Sequence, residues 1–360
     1  MIEGIRGRYN VVTYTDLRAA GVSTVEISRA KSCCLMVLSR GIYSIVAECS
    51  KPQHSRIRGF ATDSEWVDYF RTTSVADRLR DRRFQQHVAR LAVVHYPSYR
   101  TDDVVFGVSA ALLHELPLFD VALRPITVAH SSASSVTGEI KRLRRPISVE
   151  DQAIVAGVRV ITAIRTGLEL ISLESPSAGL AALDCVVRRT VVAKTGDKRL
   201  GARNPRLMFT KGREIVDAEF VPAALRLKRG KRLALKLLDI VSPLSESYAE
   251  SRSSFNLHQL GLPDFVQQWN VVHEGSLLTR LDFLHKETKT ALAIDGVGKY
   301  VEAGRGRLKR ESYQHNTLLS MGFKVIHFSF SEVMHLPVFG LKLFEQVPEL
   351  LKFRRSAFLK

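Results

Sequence analysis

Along the first fifty residues the spacing of apolar positions changes twice. In VVTYTDLRAAG, Thr13 stands as an N-cap with Asp16 three residues on, a variant of the capping box, and Gly21 stops the helix. VSTVEISRAK starts a second helix at Ser23, with Val25, Ile27 and Ala30 as its apolar positions. LMVLSRGIYSIV then reads as two β-rich runs joined by Ser39-Arg40-Gly41, which suits a hairpin. Helix, tight turn, helix and hairpin is the order of a winged helix-turn-helix, a motif whose second helix enters the major groove.

From about residue 65 to 116 the pattern is helical, and ADRLRDRRFQQHVARLAVV sets arginines on one side against leucine and valine on the other. Such a face is either simply solvated or a phosphate-contacting surface. Residues 125–162 hold β-rich pieces (PITVAHS, GVRVITA) with the basic run KRLRR between them, and two helical stretches follow, TAIRTGLELISL and AGLAALDCVVRR. Residues 188–236 are the most basic of the chain, and Gly196, Gly201 and Pro205 predict a loop or linker there, ahead of a helix over Pro222–Ile240. In the final block SESYAESRSSFNLHQLG is helical, with Ser245 as a candidate N-cap. FVQQWNVV, LLTRLDFLH and TALAIDG are three strands, LKRESYQHNTLLSMG is a helix, and FKVIHFSF is a fourth strand. The prediction is a multidomain chain of mixed α/β (α+β) class. It has a winged helix over 1–50, a helical and β middle region with a basic linker over 51–240, and an αβββαβ core over 241–360.

Charge sharpens this picture. The net charge is +17; the last 120 residues hold 15 basic and 12 acidic side chains, which leaves +14 in the first 240. That balance points to a polyanionic partner, above all nucleic acid, because neutralised phosphates release condensed counterions. Cys33, Cys34, Cys49 and Cys185 form no C-x-x-C pair and no metal-ligand spacing. Neighbouring Cys33 and Cys34 are poor disulfide partners, so buried free thiols in a reducing cytosol are expected. With no N-terminal apolar h-region and no run of roughly 18 apolar residues, the expectation is a soluble cytoplasmic protein with no membrane partner.

Phosphodiester hydrolysis generally requires one or two divalent cations held by oxygens, and magnesium asks for one or two protein carboxylates. Asp282 sits late in one predicted strand, Asp295 closes the next, Lys299 follows a glycine turn, and Glu250 lies on the preceding helix. Asp282 and Asp295 are candidate ligands of Mg²⁺ or Mn²⁺, with Glu250 in support and Lys299 near the water. The same aspartates also suit strand ends and turns, since Asp-Gly is a common turn dipeptide. No G-x-S-x-G elbow and no phosphate-binding glycine loop is present. In the winged helix, Ser23, Thr24, Arg29 and Lys31 are the candidate DNA contacts of the second helix, and Arg40 is a phosphate contact in the wing.

The ordered motifs Glu250-Ser251, Leu262-Pro263…Gln268, Arg280…Asp282-Phe283, Asp295-Gly296…Lys299-Tyr300 and Gly322…Val325 cover roughly the last 115 residues. Together they resemble the nuclease-like domain related to very-short-patch-repair endonucleases, within the PD-(D/E)XK superfamily. Arg40-Gly41-Ile42-Tyr43, the segment Ser109–Pro117 and Arg165-Thr166-Gly167-Leu168-Glu169-Leu170 resemble abortive-infection (type IV toxin–antitoxin) antitoxins. The resemblance implies antitoxin-like transcriptional control or defence against phage and foreign DNA. The expected partners are double-stranded DNA, a toxin protein and a second copy of the chain. It also implies a departure: Ala293 stands where the family has the glutamate of its E-x-D-G motif, and Gln314 and His327 stand where it tends to have arginines. Alanine cannot ligate a metal, so the nuclease-like site is expected to be weakened. An active metal-dependent endonuclease and a non-enzymatic toxin-binding protein are the competing readings.

Overall fold

In the computed structural model of the chain the described residues are 9–119, 125–295 and 305–358. The chain divides into two compact units, residues 1–166 and 167–360. Its class is the mixed α+β one expected, with three separate sheets among the described residues.

The first unit opens with β1 (Val11–Thr13), α1 (Tyr14–Ala19), α2 (Thr24–Ala30), β2 (Leu35–Ser39) and β3 (Ile42–Ile45). Thr13 and Ser23 each cap the following helix through a reciprocal capping box, with Asp16 and Glu26 as partners. The caps satisfy N–H groups that a helix start leaves without intrahelical acceptors. The predicted helix, turn, helix, hairpin order is present, and β1 adds a third strand in the order β1-β3-β2. Gly41, at φ +77°, closes the hairpin in a conformation that favours glycine. Val25 is the exception to the predicted pattern: it is 57% exposed, while Ile27 and Ala30 face a core of Leu17, Val22, Leu35, Tyr43 and Ile45. Two residues along a helix is a rotation of about 200°, which carries Val25 away from the face of Ile27. The short helix α3 (Ser55–Arg58) sends Ile57 into the same core.

Residues 65–116 are less uniformly helical than predicted. They form α4 (Ser64–Thr72), α5 (Val75–Arg80), α6 (Arg82–Val94) and α7 (Gly107–Leu113), with β4 (Val104–Val105) ahead of the last. The buried β-branched pair Val104-Val105 suits a strand better than a helix. With β5 (Ile126–His130), β6 (Ser135–Val136), β7 (Ile140–Arg144), β8 (Gln152–Val155) and β9 (Val158–Ile161), it builds a sheet ordered β6-β7-β5-β4-β9-β8. Most of the basic run at 141–145 is therefore strand β7. Arg142 turns inward, with Nε 3.1 Å from both oxygens of Asp103 and Nη2 3.0 Å from one of them. Arg165 is likewise buried, 2.8 Å from Asp151.

The helix α8 (Ala163–Leu173) contains the division between the units, and α9 (Pro176–Thr195) follows. Beyond Gly196 the predicted basic linker is helical instead. It forms α10 (Leu200–Arg203), α11 (Pro205–Ile215), a π turn over Val216–Phe220, α12 (Val221–Leu225) and α13 (Lys231–Leu238). Met208, Ile215, Phe220, Ala224 and Leu237 recur on the inner side of these helices and are buried. Several of the cations are matched by acids, Lys194 by Glu219 and Lys211 by Glu214. The N-cap of α14 (Tyr248–Gln259) is Ser247, not Ser245; the buried Ser245 hydroxyl instead accepts a bond from Gln267.

The closing sheet contains β10 (Phe265–His273), β11 (Ser276–His285), β12 (Thr290–Ile294) and β13 (Lys324–Phe328), in that spatial order, with α15 (Arg305–Ser320) between the last two. The first three are an antiparallel meander, and β13 lies parallel to β12, as a helical crossover requires. Helix, three strands, helix, strand is the predicted order. Two unforeseen helices, α16 (Phe330–Met334) and α17 (Leu336–Gln346), add Val333, Phe339 and Leu343 to its core. Among the described residues no helix is long and apolar enough to cross a membrane.

The Arg142–Asp103 pair gives a stability prediction. Arg142→Ala leaves a carboxylate buried without its cation, and unfolding free energy in urea should drop by about 3–5 kcal/mol. A loss below about 1 kcal/mol would mean that the pair is not desolvated as described.

Candidate functional site

Helix α2 presents Thr24, Val25, Ser28 and Arg29 to solvent. Ser23, one of the predicted DNA contacts, is engaged at the cap: its hydroxyl accepts the Glu26 N–H at 3.2 Å, and Glu26 Oε2 accepts the Ser23 N–H at 2.6 Å. These bonds to Ser23 hold the Glu26 carboxyl below its ordinary range. The Thr24 hydroxyl lies 3.1 Å from the Tyr14 hydroxyl. Lys31 is exposed at the helix end, with its ammonium 5.5 Å from the centre of the Tyr43 ring. Arg40 is exposed at the hairpin turn, and its backbone N–H donates to Glu139 at 2.8 Å.

In the second unit Glu250, on the first turn of α14, is only 9% exposed. One of its oxygens accepts the Ser247 hydroxyl at 2.8 Å; the other accepts the Glu246 N–H at 3.0 Å and the Gln268 amide at 2.9 Å. Burial raises its pKa from the ordinary 4.5 to about 7, and the charge of Asp282 adds to the effect. Asp282 stands on β11, where the β11–β12 ladder ends at Phe283 and Leu292. Its Oδ2 takes the Ile294 N–H at 2.8 Å, one residue before Asp295. Asp295 donates its own N–H to the Phe328 carbonyl at 2.9 Å. Lys299 lies outside the described residues.

The strand register sets position 293 beside Asp282. Phe283 pairs with Leu292 and Ala293 pairs with His327, so continuing the first ladder by one residue sets Asp282 opposite Ala293. A glutamate at 293 would add a carboxylate beside Asp282; the methyl group adds none. Glu250 meanwhile has both oxygens engaged by protein donors, and burial raises its pKa to about 7. The carboxylates of this region are then Asp282, Asp295 and the engaged Glu250, one fewer than a glutamate at 293 would give. The rings of His315 and His327 stand 5.7 Å apart on α15 and β13. Gln268, which holds Glu250, also lines a cleft of about 740 Å³ with Arg203, Arg206, Phe209, Trp269 and Lys286.

A second buried carboxylate backs this arrangement. Asp184 on α9 accepts the Ser242 N–H and the Ser251 hydroxyl, both at 2.8 Å. Burial raises its pKa from 3.8 to about 7. One side-chain cluster escaped the sequence reading: Cys33, Cys34, Cys49 and His54 converge in the first unit. A search for C-x-x-C pairs passes over it, whereas the spacing Cys49-x₄-His54 was the visible signal. No protein family, curated protein or solved structure matches the chain.

The raised pKa values set a direction for stability. The folded chain holds the protons of Asp184 and Glu250 more tightly than the unfolded chain does. Their contribution is complete below about pH 4 and is lost as pH rises through about 7. Burial lowers the pKa of His258 and of His285, which acts in the opposite sense, so the informative quantity is a difference between proteins. Relative to Asp184→Asn, the wild type should lose stability between about pH 4 and 7, by at most roughly 4 kcal/mol. Denaturant titrations across that range check it, and a constant difference would contradict the buried-acid description.

Proposed function

We propose that the chain is a duplex-DNA-binding regulator or defence factor of antitoxin type. Its winged helix reads DNA, and its PD-(D/E)XK nuclease-like domain has lost the means to hold a catalytic metal. The observation that carries this reading is the solvent-facing side of α2. Thr24, Val25, Ser28 and Arg29 are exposed together, with Lys31 at the helix end and Arg40 at the hairpin turn. In a winged helix such a surface reads base edges with a few side chains, while arginine and lysine hold the phosphates. The net charge of +17 supplies long-range attraction. Ser23 serves this function indirectly, by fixing where α2 starts. A toxin protein and a second copy of the chain are the further partners that this reading admits.

The competing reading, a Mg²⁺- or Mn²⁺-dependent endonuclease, has one observation in its favour: the charge of Asp282 acts on Glu250, so two carboxylates share one neighbourhood. Against it stand Ala293 and the saturated oxygens of Glu250. The proposed consequence is a domain that retains the nuclease-like scaffold as a DNA- or protein-binding surface.

Fluorescence anisotropy on duplex DNA at several salt concentrations tests the α2 surface. Arg29→Ala and Arg40→Ala should each weaken binding and reduce the salt slope by about one unit. Unchanged affinity and slope in both variants would sink the assignment of this helix. The lost ligand has its own test, in calorimetric titration with Mn²⁺. Ala293→Glu should bind the ion roughly tenfold or more tightly than the wild type, since it restores a carboxylate beside Asp282. Equal affinities would show that Ala293 is not what limits the site.

A further inference from the structure

Three elements of the first unit meet at one point. Cys33 and Cys34 lie in the turn that follows α2, Cys49 lies beyond β3 on the way out of the hairpin, and His54 ends a 3₁₀ turn over Pro52–His54. The Cys33 sulfur is 3.7 Å from that of Cys34 and 3.9 Å from that of Cys49. Nδ1 of His54 is 3.5 Å from the Cys33 sulfur, 3.7 Å from Cys34 and 3.2 Å from Cys49. All four donor atoms lie within 4.8 Å of one another.

These separations are those of a metal tetrahedron. Metal–sulfur bonds of about 2.3 Å and metal–nitrogen bonds of about 2.0–2.1 Å place sulfurs about 3.8 Å apart and sulfur and nitrogen about 3.5 Å apart. A disulfide would need sulfurs at about 2.05 Å, and the four cysteines of the chain are free. The surroundings favour ligation as well. Cys34 is 1% exposed and His54 is fully buried. Nε2 of His54 has no hydrogen-bond partner among the described residues, so the polar surroundings of this buried ring lie on its Nδ1 side, among the sulfurs. Three thiols are weak donors facing a single acceptor nitrogen, a poor return for removing all four groups from water. The Lys51 backbone N–H bonds the Cys49 sulfur, as donors beside metal thiolates do.

We infer that Cys33, Cys34, Cys49 and His54 hold a structural zinc ion that fastens α2 and the β2–β3 hairpin to the segment carrying α3. Three thiolates and one imidazole in tetrahedral placement are the soft donor set that selects zinc among available divalent ions. Four protein ligands leave no open position, so the ion is structural. Each thiol gives up its proton on ligation. The ion would fix the exit of α2 and hold α3, whose Ile57 enters the same core as Leu17 and Ile27. The proposal stands whether or not α2 contacts DNA.

The test is elemental analysis of the full-length chain, purified under reducing conditions without chelator from zinc-replete cells. One zinc per chain is expected, and its loss in Cys49→Ser and His54→Ala, with full retention in Cys185→Ser. Because a variant that fails to fold would also lose metal, the wild type is stripped with chelator and titrated with Co²⁺. Intense tetrahedral cobalt–thiolate bands that one equivalent of Zn²⁺ bleaches support the site. A metal-free protein that gives no such bands overturns it, as does a Cys33–Cys49 or Cys34–Cys49 disulfide found in reduced-and-handled protein by peptide mapping.

Discussion

A carboxylate removed from water must have its oxygens filled by donors, and the second unit is arranged around two carboxylates that meet this demand. Asp184 ties α9 to the Ser242 backbone and to Ser251 on α14. Glu250, the residue before Ser251, ties α14 to Gln268 on β10 and to its own N-cap, Ser247. Consecutive residues of one helix thus reach in two directions, one toward the helical layer and one toward the sheet. The strand responds: Gln268 adopts a positive φ of 53°, unusual for a residue with a side chain, while holding the Glu250 oxygen. Positioning of α14, and with it the edge of the sheet, depends on these bonds.

The same bonds bear on function. Glu250 serves as a tether, buried and with both oxygens taken by protein donors, and burial raises its pKa to about 7. Asp282 in turn spends one oxygen on the Ile294 N–H where its strand parts from β12. With alanine at 293, the sheet keeps its strands and its helix but has one carboxylate fewer beside Asp282 than a glutamate there would supply. Charge is distributed with a comparable division of labour. Arg142 and Arg165 are internal struts paired with Asp103 and Asp151, whereas Arg29, Lys31 and Arg40 remain at the surface.

Much of this was legible in the sequence where local chemistry decides structure. The capping box at Thr13, the helix start at Ser23, the Arg40-Gly41 turn and the meander of the final block depend on neighbours a few residues apart, and each appears where expected. The misreadings come from tertiary context. Glycine and proline between 196 and 205 suggested a linker, yet Gly196 caps one helix and Pro205 opens another. Val25 looked apolar and inward, and its helical phase turns it out. Ala293 was visible as a departure, but only the strand register sets it against Asp282. The thiol–imidazole cluster draws on three separate elements, so the Cys49-x₄-His54 spacing showed only half of it.

The proposed function is duplex-DNA binding without cleavage. The most direct measurement is incubation of plasmid and linear DNA with wild-type protein and with Asp282→Ala, in Mg²⁺ and in Mn²⁺, beside a binding assay on the same preparations. Salt-dependent binding and no nicking by either protein are expected. Cleavage by the wild type that disappears in Asp282→Ala would contradict the proposal, and would make Asp282 part of a working metal site.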